Sequence, residues 1–264
     1  MWLARCRILH RRVRPNLKLR LDKLLLERGL TPSRERAQAL ILAGRVLVDG
    51  QKIEKAGAAV DSQAAVRLLG EDLKYVSRGG LKLEKALAHW KIELAGKVCL
   101  DVGASTGGFT DCLLQHGAAR VIAVDTGHGQ IALRLRDEPR VRLLENTNAR
   151  YLTREHLGEF ADLIAMDVSF ISATLVLPAV IKAAFPESAD RRGRQIIVLV
   201  KPQFEVGRER VGKGGIVRDE AAQLAAADKV RQVLLTQGCT FTDTIESPIL
   251  GAEGNREFLL YGGS

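Results

Sequence analysis

A glycine-rich turn between an apolar run and a helix start is the stretch whose spacing points most directly to chemistry. Residues 98–102 are apolar except for Asp101, and Gly103, Gly107 and Gly108 follow shortly after. Glycine lets the backbone approach a ligand closely, and a helix N-terminus offers unpaired N–H groups and positive potential. At the carboxyl end of a strand, such a turn favours a nucleotide-like cofactor. The alternative is a turn that closes a strand–helix unit without a ligand.

The spacing within the turn separates the cofactor classes. Dinucleotide enzymes use Gly-x-Gly-x-x-Gly and P-loop enzymes use Gly-x-x-x-x-Gly-Lys-Ser/Thr. Neither pattern fits, because Ser105 occupies the place of the second glycine and no Gly-Lys-Ser/Thr follows. The turn instead resembles motif I of S-adenosylmethionine-dependent methyltransferases, Asp-x-Gly-x-x-x-Gly-Gly. Asp125 ends the next apolar run about 20 residues on, where an acid can bind both ribose hydroxyls of an adenosine-containing cofactor.

The chain around this turn alternates between strand and helix patterns. After residue 80, apolar runs at 98–100, 121–124, 141–145, 163–166 and 196–200 are separated by helical stretches. This alternation predicts an α/β domain with a parallel, Rossmann-like sheet covered by helices on both faces. Two further strands are expected near 240–245 and 258–261, the last one antiparallel, as is typical of S-adenosylmethionine methyltransferases.

Charge divides the chain into two parts. The net charge is +9; residues 1–50 carry 12 Lys and Arg against 4 Asp and Glu, and the other 214 residues are close to neutral. A basic segment beside a neutral one suggests a separate module for a polyanion. Residues 1–16 lack the apolar core of a secretory signal and are expected to form a disordered basic arm, the alternative being an artefact of the choice of start site.

Residues 17–70 resemble the S4 RNA-binding domain. The matching text is Arg20-Leu21-Asp22-Lys23-Leu24-Leu25, Ser33-Arg34-Glu35-Arg36-Ala37 and Ala43-Gly44-Arg45-Val46-Leu47-Val48-Asp49-Gly50. We expect a helix over 17–28, a second helix capped by Thr31 with Pro32 in its first turn, and an Asp-Gly hairpin. The resemblance implies that Arg34, Arg36 and Arg45 contact RNA; each could equally be a solvated surface charge.

Residues 75–264 resemble the FtsJ-like ribose methyltransferases, after a linker at 71–80. The matching stretches are Tyr75–Leu83, Asp101–Thr110, Val124–Gln130, Asp167–Ile171, Lys201–Glu205 and Asn255–Glu257. With the S4-like module in front of the methyltransferase domain at 81–264, the chain is similar to the TlyA/hemolysin A family of ribosomal RNA 2′-O-methyltransferases. The resemblance implies methylation of ribose, of cytidine in that family, with S-adenosylmethionine as cofactor and ribosomal RNA or subunits as partners.

The resemblance also assigns residues. A Lys-Asp-Lys-Glu tetrad of FtsJ-type enzymes maps onto Lys82, Asp167, Lys201 and Glu257. The predicted topology brings all four to the carboxyl rim of the sheet, next to the cofactor turn. We expect Lys201, oriented by Asp167, to act as base or charge stabiliser for a ribose hydroxyl, and which lysine handles the proton stays open. Cofactor contacts are predicted for Asp101, Gly103, Ala104, Ser105, Gly107, Gly108, Phe109, Asp125, Asn148 and Asp167. RNA contacts in this domain are predicted for Arg78, Arg208, Arg210 and Lys213.

Some of these interpretations have open alternatives. Asn148 could contact the adenine or only cap a turn, and residues 201–215 suggest a mobile substrate loop. Cys6, Cys99, Cys112 and Cys239 have no CxxC spacing, which indicates reduced thiols in a cytoplasmic protein. No metal is expected, since His128 has no visible metal partner, and no stable membrane insertion is expected. The competing functions are a non-catalytic RNA-binding ribosome-assembly factor with a vestigial cofactor fold and a membrane-active hemolysin.

Overall fold

The computed structural model describes residues 18–31, 33–69, 74–185, 193–251 and 254–264. The basic arm expected at 1–16 and the predicted helix position Pro32 lie outside the described residues. The chain divides into two units, Met1–Asp72 and Leu73–Ser264. The expected linker at 71–80 is too long, because Tyr75 is buried within the second unit and a helix already begins at Gly79.

The first unit is a small α+β module with two helices and short antiparallel strands. Strand β1 pairs with β4, and the second sheet has the order β3-β2-β5. Leu21, Leu25 and Ile41 are fully buried between the helices and strands. The elements are β1 (Lys18–Arg20), α1 (Leu21–Glu27), α2 (Arg34–Leu42), β2 (Val46–Val48), β3 (Gln51–Lys52), β4 (Ala59–Asp61) and β5 (Val66–Leu68).

Two helix starts in this unit differ from the sequence-based expectation. The helix predicted over 17–28 begins only at Leu21, because residues 18–20 pair as β1 with β4. Ser33, not Thr31, caps α2: its hydroxyl accepts a hydrogen bond from the backbone N–H of Arg36 at 3.2 Å. The predicted Asp-Gly hairpin is confirmed between β2 and β3.

The second unit is a seven-stranded sheet with helices on both faces. Its strands are β6 (Val98–Val102), β7 (Arg120–Val124), β8 (Val141–Leu144), β9 (Leu163–Met166), β10 (Gln195–Val200), β11 (Phe241–Glu246) and β12 (Phe258–Gly263). Its helices are α3 (Gly79–His89), α4 (Gly108–Gln115), α5 (Leu133–Arg136), α6 (Arg154–Leu157), α7 (Ala173–Ala184), α8 (Pro202–Glu205) and α9 (Glu220–Thr236), with 3₁₀ turns at Ala149–Tyr151 and Arg208–Arg210.

The strand order β11-β12-β10-β9-β6-β7-β8 confirms the predicted Rossmann-like class. Strands β6 to β10 run parallel, and β12 is antiparallel to both of its neighbours. Two separate apolar clusters cover the two faces of the sheet. The carboxyl ends of the parallel strands and the start of β12 therefore lie at the same end of the sheet, which is called its carboxyl edge.

Among the described helices, none combines the length and apolar character needed to cross a bilayer. Within the same residues, no group of three or more His, Cys, Asp and Glu side chains is arranged to hold a metal ion.

Candidate active site

The glycine-rich turn follows β6 directly and leads into α4. Gly103 has φ of +87°, and a Cβ at this position would collide with the carbonyl oxygen of Asp167. Gly107 has φ of +95° and precedes α4, where Gly108 packs against the hydroxyl of Ser77. Only glycine can combine these dihedral angles with such close contacts. The start of the turn is thereby brought close to the end of β9, and the start of α4 lies close to Ser77.

A cavity of about 550 Å³ opens along this turn, in the size range of small-molecule sites. The Asp125 carboxylate lines it and is fixed by the backbone N–H groups of Ser105 at 2.8 Å and Gly127 at 2.6 Å. Asn148 also lines it while its side chain caps a 3₁₀ turn, accepting a bond from the Arg150 N–H at 3.0 Å. Both readings of Asn148 are therefore compatible with its position.

A smaller cavity of about 260 Å³ adjoins the larger one, and Gly103, Ser105 and Asp167 line both. The four residues predicted as a tetrad all line the smaller cavity, together with Ser77, Arg78, Gly79, Ala104, Thr106, Gly108 and Phe109. The tetrad residues come from positions 82 to 257 of the sequence. The smaller cavity thus collects two ammonium and two carboxylate groups beside the glycine-rich turn.

Lys201 and Asp167 form one ion pair in this cavity. The two residues follow β10 and β9, which are adjacent parallel strands, so their side chains leave the sheet side by side. The Nζ of Lys201 lies 2.6 Å from Oδ1 of Asp167 and donates a hydrogen bond to the hydroxyl of Ser169 at 2.7 Å. Two partners therefore fix the ammonium at the cavity wall.

Lys82 and Glu257 form a second, more deeply buried pair. Lys82 lies in the first turn of α3, and its ammonium contacts Oε2 of Glu257. The side chains are 11% and 3% exposed. The register of β12 against β10 pairs Phe258 with Val200, so Glu257 lies next to Lys201. The antiparallel last strand is what brings this glutamate to the edge of the sheet.

Two predicted cofactor residues line neither cavity. Asp101 is completely buried within β6 and accepts a hydrogen bond from the Thr110 hydroxyl at 2.6 Å. Burial raises the pKa of the Asp101 carboxyl to about 7. Gly107 faces Leu135 rather than a cavity. Asp101 in β6 and Gly107 before α4 both face the protein interior. They support the conformation of the turn from its buried side and do not contact the cavities.

The predicted RNA-contacting residues of the second unit differ in location. Arg78 is exposed and lines the smaller cavity. Arg208, Arg210 and Lys213 are exposed in the segment that follows Lys201. The beginning of that segment is anchored, because Glu205 is buried against Ser172 and the N-terminus of α7.

In the first unit, two of the three predicted arginines are held by hydrogen bonds to neighbouring residues. The Nε of Arg34 lies 3.0 Å from Oδ2 of the buried Asp22, which also binds Arg20 and Gln38. The Nε of Arg45 donates a hydrogen bond to the carbonyl of Leu69 at 2.8 Å, and Arg36 is half-buried. These contacts orient the basic groups of α2 and leave about half of the Arg34 side chain exposed, at 49%.

Ser169 and Phe170 lie in the matching text after β9 and were not predicted as site residues. Phe170 has φ of +64° and is 91% exposed, although its ring is large and apolar. The ring lies 5.4 Å from that of Phe204, and Phe170 also lines the larger cavity. A bulky residue with positive φ is strained and points to a functional constraint. The positions of Ser169 and Phe170, two and three residues after Asp167, are the sequence signal that could have identified them.

Comparison with known proteins gives consistent matches over both units. Residues 75–264 match the family model of FtsJ-like methyltransferases, and residues 19–66 match the S4 domain. The chain is 44% identical over 245 residues to "16S/23S rRNA (cytidine-2′-O)-methyltransferase TlyA" of Mycobacterium tuberculosis, covering 92% of this chain and 89% of the relative. It is 40% identical over 244 residues to "Hemolysin A" of Brachyspira hyodysenteriae, covering 92% and 99%. A solved structure described as "Putative hemolysin from Streptococcus thermophilus" is 41% identical with a TM-score of 0.69, covering 94% and 88%.

Proposed function

Because the chain belongs to the FtsJ-like methyltransferase family, we propose that it methylates ribose 2′-hydroxyls, of cytidine, in ribosomal RNA with S-adenosylmethionine. The observation that carries the proposal is the Lys82, Asp167, Lys201 and Glu257 set around one cavity that adjoins the larger one. The complete set of charged groups disfavours a non-catalytic assembly factor, since such a protein would not need two ion pairs at a cavity wall.

The larger cavity suits S-adenosylmethionine. The fixed Asp125 carboxylate is an acceptor for ribose hydroxyls, and the glycine-rich turn gives a ligand close access to the backbone. The N-terminus of α4 and the exposed Arg78 supply positive potential at the smaller cavity, which suits a carboxylate. When bound, the cofactor supplies a methyl group already activated by a sulfonium.

The chain's own residues must orient the ribose and stabilise the charge that develops on its oxygen. The ammonium of Lys201 lies at the wall of the smaller cavity, held by Asp167 and Ser169. As the 2′-oxygen takes the methyl group, its hydroxyl proton passes to solvent; a cation at this place stabilises the negative charge that develops on the oxygen and holds it in line with the methyl group. The Lys82–Glu257 pair lines the same cavity beside Lys201 and restricts where the ribose can lie.

The RNA is the second substrate. The basic first unit matches the S4 domain, and lysine and arginine contacts to phosphates position RNA without reading its sequence. Phe170 offers an exposed aromatic face at the rim, on which a base turned out of its stack can rest. The named substrates of the relatives, 16S and 23S ribosomal RNA, are the candidates for this chain. Because ribosomal RNA is the proposed substrate, we expect the protein to act in the cytoplasm.

The proposal is tested by methyl transfer. Undermethylated 16S and 23S RNA, free and in assembled subunits, is incubated with the protein and S-adenosylmethionine carrying a labelled methyl group. We expect label in RNA with the unchanged protein, and a loss of at least a hundredfold in Lys201→Ala, typical of removing a charge-stabilising donor. Lys97→Ala is the matched control, since Lys97 binds Gln195 at the opposite edge of the sheet. Absence of label from every form of RNA would overturn the proposal.

A further inference from the structure

Asn255 is a buried amide whose hydrogen bonds all lie outside the two cavities. It is 1% exposed, and its Oδ1 accepts a bond from the Val217 N–H at 3.0 Å. Its Nδ2 donates a bond to the carbonyl of Gly215 at 2.8 Å. Both partners precede it by about forty residues, at 38 and 40 positions. One side chain therefore holds the end of a distant loop.

That loop, residues 206–216, is called the basic loop here. It starts just after Lys201 and α8, and its exposed cations are Arg208, Arg210 and Lys213. Its start is fixed by Glu205, whose carboxylate accepts a bond from the Ala173 N–H at 2.6 Å. Its end is fixed at Val217 by Asn255.

A second side chain secures the same end. The Nε2 of Gln223 donates a hydrogen bond to the carbonyl of Val217 at 2.7 Å. Val217 is itself 1% exposed. The basic loop is thus a solvent-exposed, positively charged segment between two buried anchors, one of which depends on the amide of Asn255.

The same residue is tied to the active site through its main chain. The carbonyl of Asn255 accepts a bond from the Gly251 N–H at 2.9 Å, and Glu257 follows two positions later. Gly251 packs directly against the Glu257 carboxylate, where a larger residue would collide with Oε1. Asn255 therefore joins the anchor of the basic loop to the segment that presents a tetrad residue.

An amide is the group that this place requires. It must accept from one backbone N–H and donate to one carbonyl, and a short amide side chain does both. Alanine would leave both backbone groups unpaired in the interior, and aspartate would remove the donor. The Asn255 amide therefore fixes the end of the basic loop and makes no contact with substrate.

We propose that Asn255 is a positioning residue that holds the basic loop beside the smaller cavity, so that its cations contact RNA phosphates flanking the target ribose. The inference rests on the proposed function and names residues 206–216 as a segment of the second unit that binds RNA phosphates. Loss of the anchor weakens RNA binding because the loop cations must then be ordered at the moment of binding.

A double-mutant cycle tests this. In Asn255→Ala, KM for RNA is expected to rise about tenfold, because the loop cations must then be ordered on binding, while kcat changes less than about threefold. Replacing Arg208, Arg210 and Lys213 by alanine raises KM and lowers the salt dependence of RNA binding, by up to about one unit of slope per lost phosphate contact. In that neutralised background, Asn255→Ala should change KM less than about twofold, because its effect runs through the same cations.

The controls separate positioning from general damage. Gln195→Ala removes a part-buried polar contact at the opposite edge of the sheet and should leave KM for RNA unchanged. S-adenosylmethionine affinity, measured by calorimetry, should be the same in Asn255→Ala as in the unchanged protein. Asn255→Asp, which keeps an acceptor for Val217 but sets a carboxylate oxygen against the Gly215 carbonyl, should raise KM at least as much as Asn255→Ala. If Asn255→Ala does not fold, Gln223→Ala removes the other tie to Val217 and is expected to raise KM in the same way.

Three results would overturn the inference: an unchanged KM for RNA, a loss confined to kcat or cofactor affinity, or additive effects in the cycle. RNA affinity measured by filter binding gives the same cycle without methyl transfer. The inference therefore stands or falls even if the unchanged protein transfers no methyl group, which is the result that would overturn the proposed function instead.

Discussion

Replacing Glu257 by alanine leaves the Lys82 ammonium without its carboxylate in a place that solvent scarcely reaches. Glu257 is 3% exposed as a side chain and Lys82 is 11% exposed. Removing one partner of a buried ion pair costs about 3–5 kcal/mol, because the remaining charge is uncompensated. For a unit of this size that corresponds to a fall in Tm of roughly 6–20 °C.

The complementary change removes both charges. The double variant Lys82→Met with Glu257→Leu replaces the pair by apolar groups of similar size, which in other proteins is neutral or stabilising by about 1–4 kcal/mol. We therefore expect it to recover most of the stability that Glu257→Ala loses, while methyl transfer stays absent. Stability and catalysis are then separated within one pair of residues.

Urea unfolding followed by Trp90 fluorescence reports on this unit, since the Trp90 ring stacks on Tyr261 at 5.2 Å. The activity assay is methyl transfer to RNA. The reasoning is refuted if Glu257→Ala unfolds at the same urea concentration as the unchanged protein. It is also refuted if the double variant keeps its activity, because the pair would then be structural only.

Three further predictions follow from individual side chains. Burial raises the pKa of Asp101 to about 7, so the free energy of unfolding should fall by roughly 4 kcal/mol as the pH rises from about 4 through 7. In Asp101→Asn the free energy of unfolding should depend less on pH, and an unchanged pH dependence would contradict this. Asp22→Ala removes the shared acceptor of Arg20, Arg34 and Gln38 and should destabilise the first unit by about 2–3 kcal/mol. Amide hydrogen exchange over residues 18–69 should then be faster, and unaltered protection would contradict this. Phe170→Ala should leave Tm unchanged yet raise KM for RNA about tenfold, within the range for one base stacked on an aromatic ring, with recovery in Phe170→Tyr; equal KM values would exclude the stacking role.

The positions of the tetrad were predictable because they depend on topology. Parallel strands end at one edge, so Asp167 and Lys201 had to be neighbours once β9 and β10 were assigned to the same sheet. Glu257 needed one additional assumption, an antiparallel last strand, and the register of β12 confirms it. The alternation of strands and helices therefore predicts which residues meet at the carboxyl ends of the strands, even when they lie far apart in the sequence.

Side-chain partners were less predictable. Thr31 and Ser33 are both good cap residues two positions apart, and spacing alone did not identify the one that accepts the Arg36 N–H. Asp101 belongs to the same motif as Gly103, yet burial behind the turn removes it from the cavity. The bonds of Asn255 depend on how a loop 38 positions earlier packs, which no local pattern encodes.

The position of the transferred methyl group distinguishes a ribose 2′-O-methyltransferase from an enzyme that methylates a base. A 2′-O-methyl group removes the hydroxyl that attacks the neighbouring phosphodiester in alkali, so the modified linkage resists alkaline hydrolysis. Ribosomal RNA labelled by this protein is hydrolysed, and the products are separated and identified by mass spectrometry. We expect the label in alkali-resistant dinucleotides that yield 2′-O-methylcytidine. Label in base-methylated mononucleotides would contradict it, because the smaller cavity would then serve a different acceptor atom.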